Sequence, residues 1–112
     1  MTEFVLLFEG RVPPGSPQEM QKRTQKWIHW IQELSQKGLV AFPGCPLEGV
    51  MKRVTGSKRE VTDVLFSELK DPVCGFIIIL ANDMEHAVEI SRGCPGLDLE
   101  GTVEVRQVMT IH

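Results

Sequence analysis

The stretch Val73-Cys74-Gly75-Phe76-Ile77-Ile78-Ile79-Leu80-Ala81 decides the fold. Its β-branched and aromatic residues read as a strand, and the unbroken apolar part, Phe76 to Ala81, is far short of the roughly 20 residues of a membrane helix. Strand side chains alternate between the two faces of a sheet, so Phe76, Ile78 and Leu80 point one way and Ile77, Ile79 and Ala81 the other. Both faces of this strand therefore need apolar cover.

Downstream, Asn82 or Asp83 caps a helix whose inward face is Met84, Ala87, Val88 and Ser91 and which ends near Gly93, before Pro95. Residues 102–109 form the last strand. Upstream, residues 50–55 and 60–63 are the arms of a hairpin turning through Gly56-Ser57-Lys58, made basic by Lys52, Arg53, Lys58 and Arg59. Residues 39–42 form a short strand interrupted by Pro43-Gly44-Cys45-Pro46, where two prolines forbid regular pairing and a bulge or bend is expected.

Residues 3–8 read as a strand that is apolar on both faces. Ser16-Pro17-Gln18-Glu19 then combines an N-cap serine, a proline at the first helical position and a glutamate three residues after the cap, the pattern of a capping box. The helix it starts carries Met20, Thr24, Trp27, Ile28, Ile31 and Leu34 as an apolar stripe, with Lys22, Lys26, His29 and Glu33 behind it and Gly38 to end it.

The order strand, helix, strand, hairpin, strand, helix, strand contains the split βαβ repeat of the ferredoxin-like plan with one inserted hairpin. This is an α+β fold with an antiparallel sheet, in a single domain over residues 1–112. Both helices of that plan cover one sheet face and leave the other bare. A second copy, sheet against sheet, is the simplest cover, so a homodimer is expected. The competing cover is the hairpin folded back over its own sheet, which its polar and basic composition disfavours.

The 112 residues, 42% hydrophobic, suffice to bury on the order of 65% of the unfolded surface. Twelve basic against 15 acidic residues give no long-range attraction for phosphate backbones or anionic lipid, so neither nucleic acid nor membrane is an expected partner. Cys45, Cys74 and Cys94 show no Cys-x-x-Cys spacing, and no basic leader precedes the first strand. Both features suit reduced thiols in a cytoplasm.

The segment Val61-Thr62-Asp63-Val64-Leu65-Phe66-Ser67-Glu68-Leu69-Lys70-Asp71, followed by Gly75-Phe76-Ile77-Ile78, resembles the DGPF motif of the YCII-related family. That motif reads V-T-D-G-P-F-x-E-x-K-E before a G-G-Y/F-x-I-I strand. Trp27, Trp30, Pro46-Leu47, Gly93-Cys94-Pro95 and Val103-Glu104-Val105-Arg106 extend the likeness over nearly the whole chain. The resemblance implies a dimeric α/β barrel with a cleft between protomers, in a family of largely unassigned role, some of whose members are linked to alternative sigma factors. Val64-Leu65 stands where the motif has Gly-Pro, so the tight turn favoured by that pair is not built in. The founding branch of the family resembles a site relying on a helix-one histidine and an aspartate before a proline after helix two. Trp27 and Cys94 hold those positions here, so the His-Asp pair is not carried over.

Asp63 and Glu68 are candidate paired carboxylates for acid-base work, with a turn residue and a solvated acid as the plain alternative. Glu104 and Arg106 alternate with Val103 and Val105, so if the valines face the helices the charged pair lies on the opposite face, turned toward a partner protomer, either as a structural ion pair or as an anion receptor. The stripe assigns Trp27 to the core and Trp30 to a cleft edge, and it sends His29 to solvent. Cys94, near a helix C-terminus, is expected to be a buried filler. His86 and His112 have no partner at metal spacing, so neither a metal nor a cofactor is expected. The leading reading is a homodimeric small-molecule-binding domain, with an anion among the candidate ligands, whose cleft lies near Trp30, Asp63, Phe66, Glu68 and Arg106. No catalytic signature is complete, which leaves enzymatic activity open. The rival reading is a non-catalytic regulatory module associated with transcription.

Overall fold

The computed structural model describes residues 1–11 and 13–111; at Phe66 the backbone alone is described, and Val12 and His112 lie outside the described residues. The elements are β1 (Thr2–Glu9), α1 (Pro17–Gln36), β2 (Val40–Pro46), β3 (Met51–Thr55), β4 (Glu60–Val64), β5 (Val73–Ala81), α2 (Met84–Ser91) and β6 (Thr102–Gln107). Short 3-10 turns follow β4 at Phe66–Glu68 and α2 at Pro95–Leu99.

The capping box forms as its residues require: Glu19 N donates to Ser16 Oγ and Ser16 N donates to Glu19 Oε1, both at 3.1 Å. At the other end of α1, Gly38 takes the left-handed conformation (φ 73°) and donates to the Ser35 carbonyl, while Leu39 N donates to that of Leu34. The pair of bonds is a Schellman cap, and Leu34 and Leu39, the two residues such a cap brings together, are both buried in the core. Asp83 caps α2 by accepting from His86 N at 2.8 Å.

Strands β2-β5-β1-β6 make one antiparallel sheet in that order, the ferredoxin-like arrangement, and β3-β4 make a separate two-stranded one. Phe4, Leu6 and Phe8 of β1 and Ile77, Ile79 and Ala81 of β5 are buried beneath the helices, with Val103 and Val105 of β6 packed beside them. The alternation expected of β5 is thus observed: Phe76, Ile78 and Leu80 lie half-buried on the opposite face, beside Val5 and Leu7 of β1. Phe42 of β2 stacks on Phe76 there, ring centroids 6.0 Å apart.

Some expectations need correction. The buried residues of α1 are Trp30 and Leu34, with Trp27 and Ile31 partly buried; Ile28 and Met20 are exposed. The stripe is turned toward Trp30 because an indole buries more apolar area than an isoleucine and completes a cluster with Phe8 and Trp27. In α2, Ile90 joins Ala87 and Ser91 in the core while Met84 is exposed. β2 continues past Pro43 and ends on Pro46, which an edge strand permits, but its register shifts twice. β6 stops at Gln107, two residues early. The β3-β4 hairpin is not uniformly polar, since Val54 and Val61 face solvent opposite each other.

Candidate functional site

The ends of β1 and β5 and the start of β6 meet at one edge of the sheet. Phe8 pairs with Gly75 and Glu9 with Val73, so Cys74 is the extra residue of a β-bulge. Its thiol donates to the Phe8 carbonyl at 3.3 Å. The bulge turns Cys74 away from the alternation of β5 and packs it against the core, where it helps to line a cavity of about 60 Å³.

Phe8, Trp27, Cys94, Leu99 and Val103 form the apolar wall of that cavity, and Glu9 and Thr102 reach its rim. Phe8 and Trp27 meet edge to face at 4.7 Å. Gly96 lets the wall close: a Cβ there would stand 3.2 Å from Trp27 and 3.6 Å from the Cys94 sulfur. A cavity that binds benzene is about 150 Å³, so this one accepts a substituent of a ligand and not a whole ring. Trp27 and Cys94, which stand where the resemblance places the histidine and aspartate of the founding branch, therefore meet at one cavity. Neither supplies its counterpart's proton chemistry. Burial pushes the Cys94 thiol up to about 11, and burial also raises that of Cys74, so neither is an activated nucleophile.

The titratable groups lie at the sheet surface. Glu9 and Glu104 share the bare face on adjacent strands. The Glu9 carboxyl is raised above its ordinary value, first by desolvation, then by a hydrogen bond to Glu104 and by the charges of Glu104 and Asp71. Arg106 Nε lies 3.9 Å from Glu104 Oε1. An acid pair and a guanidinium thus stand together, able to hold a proton and to receive an anion. Among the described residues no three His, Cys, Asp or Glu side chains gather as a metal ion would require.

The sequence candidates are dispersed. Arg106 is on the bare face, as its parity implies. Asp63 is on the hairpin, 3.5 Å from Lys52 Nζ, with both side chains exposed. Glu68 lies in the turn after β4, which the Arg11 guanidinium ties to the end of β1 by donating to the Ser67 and Leu69 carbonyls. Phe66 begins the same turn, and its side chain is outside the described residues. Trp30 is buried and borders a shallow hollow between the helices with Glu33, Lys37 and His86, on the far side of the sheet from Arg106. His29, in solvent as expected, pairs with Glu33 at 3.0 Å. Sequence reading missed Glu9, Cys74 and the placing of Trp27 on the cavity. The signal for Glu9 was its strand parity, which acquires meaning only once β1 is known to lie beside β6.

The fold and this sheet-end site define an α+β protein of the ferredoxin-like plan. The profile of the YCII-related domain matches residues 4–112, and the chain belongs to the YCII-related family. A solved structure similar to it is the 5-chloro-2-hydroxyhydroquinone dehydrochlorinase of Burkholderia phenoliruptrix, in complex with 2,5-dihydroxybenzoquinone. The two align with a TM-score of 0.59 and 18% identity over 97% of this chain and 95% of that one, a likeness of fold. None of the curated proteins matches in sequence. No helix among the described residues is long and apolar enough to cross a membrane.

Proposed function

We propose that the chain is a homodimer of the DGPF branch whose two bare sheet faces close into a dimeric α/β barrel, with a small molecule bound in the cleft between protomers. The observation that carries this reading is the bare face itself, where apolar Val5, Leu7, Phe76, Ile78 and Leu80 lead to Glu9, Glu104 and Arg106. An apolar floor with a few convergent polar groups is the usual make-up of a ligand site. The bound quinone of the dehydrochlorinase supports a planar, acidic ligand. Arg106 is the proposed anion contact, and the segment carrying Asp63, Phe66 and Glu68 supplies the remainder of the cleft. Trp30 supports it from beneath the sheet.

The test is thermal melting of wild type and Arg106→Met with a panel of carboxylates, phosphates and hydroxyquinones. A ligand at 100 times its Kd stabilises by about 2.7 kcal/mol. Wild type should gain stability from at least one compound and Arg106→Met should not, while the unliganded proteins melt alike. No response from wild type to any of them would overturn the reading. The regulatory alternative is favoured by a different observation, the exposed apolar stripe of the hairpin, and predicts no response to the panel.

A further inference from the structure

The hairpin stands away from the rest of the chain. Among the described residues β3 and β4 pair with each other alone, and no other strand or helix packs substantially against them. The molecule measures 47 × 43 × 18 Å with a radius of gyration of 15.7 Å, whereas a compact chain of this length has about 13 Å. The register sets Val54 opposite Val61 and Lys52 opposite Asp63 on one face. Val50 and Leu65 extend that face beyond the strand ends, and all four apolar residues are more than half exposed, Val50 at 93%. An isolated two-stranded hairpin is marginal in water at best, so an arm with such a stripe gains its order from a surface that covers it.

We propose that this surface is the bare sheet face of a second copy of the chain, each arm lying across the other copy's sheet. The inference rests on the homodimer reading and adds the arm to it. Charge supports the match. The hairpin carries four basic side chains, Lys52, Arg53, Lys58 and Arg59, against the acids Glu60 and Asp63. The bare face presents the carboxyls of Glu3, Glu9 and Glu104 beside the guanidinium of Arg106. Apolar meets apolar as well, the valine stripe against Val5, Leu7 and Ile78. Both junctions of the arm leave the sheet at the end where Glu9 lies, because β2 ends at Pro46 opposite Gly75 and β5 begins at Val73 opposite Glu9. Exchange of arms brings Asp63 and Lys52 of one copy to the face that holds Glu104 and Arg106 of the other. The cleft is then incomplete in either copy alone, which accounts for the dispersal of the sequence candidates in one chain.

Two measurements test this on the full chain. Sedimentation equilibrium should show the wild type as a dimer and Val54→Lys/Val61→Lys as dissociating at least tenfold more readily. In disulfide trapping, with Cys45→Ser and Cys74→Ser as background, chains carrying Val61→Cys are mixed with chains carrying Leu7→Cys or Ile78→Cys. Cross-links between unlike chains support the exchange. Cross-links between Val61→Cys chains only, or none, overturn it whether or not the lysine variant folds. A wild-type dimer that the lysine variant preserves at full affinity also overturns the arm while leaving sheet-to-sheet pairing intact. A wild type that stays monomeric at every concentration tested removes the arm and the homodimer reading together.

Discussion

The Glu9 carboxyl stands near that of Glu104 on the neighbouring strands β1 and β6, on the sheet face turned away from both helices, and is raised above its ordinary value there. Desolvation is the largest cause of the shift on Glu9, and the neighbouring negative charges of Glu104 and Asp71 add to it. A folded-state value raised above the ordinary 4.5 means that the contribution of this proton to stability is present at lower pH and is lost as pH rises through the raised value. Thermal melts of wild type and Glu9→Gln from pH 4 to 7 should differ in slope, with wild type losing stability relative to the variant as pH rises. Parallel curves would mean that the folded chain does not raise the Glu9 carboxyl. Glu19, whose carboxylate is lowered by hydrogen bonds from Ser16, acts with the opposite sign in both proteins and cancels in the comparison.

Gly44 and Gly38 have similar backbones and should differ in their tolerance of alanine. Both are left-handed, at φ 67° and 73°, which costs an L-residue about 1 to 2 kcal/mol. A Cβ on Gly38 meets nothing within 4 Å, so Gly38→Ala should cost only that strain. A Cβ on Gly44 would stand 1.7 Å from the Phe76 carbonyl oxygen, a backbone atom that cannot yield without parting β2 from β5. Gly44→Ala should therefore cost more than about 4 kcal/mol, measured by urea unfolding. Equal midpoints for the two variants would contradict the bulged path of β2.

The three thiols should react in the order of their exposure. Cys45 is exposed, Cys74 is half-buried and hydrogen-bonded to Phe8, and Cys94 is buried. At pH 8 a thiol at about 11 is ionised in roughly one molecule in a thousand, and it is the thiolate that attacks. Iodoacetamide followed by mass spectrometry should label Cys45 first and Cys94 only on unfolding. Early labelling of Cys94 would show that the Trp27 cavity opens readily.

Much of this architecture was legible because it is local. Ser16 and Glu19 announce the start of α1 within four residues, and β5 declares itself by composition and alternation. The rotation of α1 was not legible, because Ile28 and Trp30 flank the same stripe and only contact with Phe8 selects the indole. The site was less legible than the fold. Glu9 reaches Glu104 only through the pairing of the first strand with the last, and Cys74 reaches the cavity only through a bulge that its sequence does not signal. Asp63 was legible as a motif residue, but its place depends on where the hairpin rests.

Ile77 and Ile78 are adjacent, similar in size and on opposite faces, and their aspartate variants should fail differently. Ile77 is fully buried beneath the helices, so Ile77→Asp leaves an ion without a partner in the core and should unfold the chain at any protein concentration. Ile78 is half-buried on the bare face, where water still reaches the position in a single copy. Ile78→Asp should keep the far-ultraviolet spectrum of the wild type while shifting sedimentation equilibrium to monomer, because in the proposed dimer the carboxylate would face an apolar partner surface. The melting temperature of wild type should then rise with protein concentration and that of Ile78→Asp should not. If Ile78→Asp instead unfolds as completely as Ile77→Asp, the second face is covered within one chain and the sheet does not pair with a second copy.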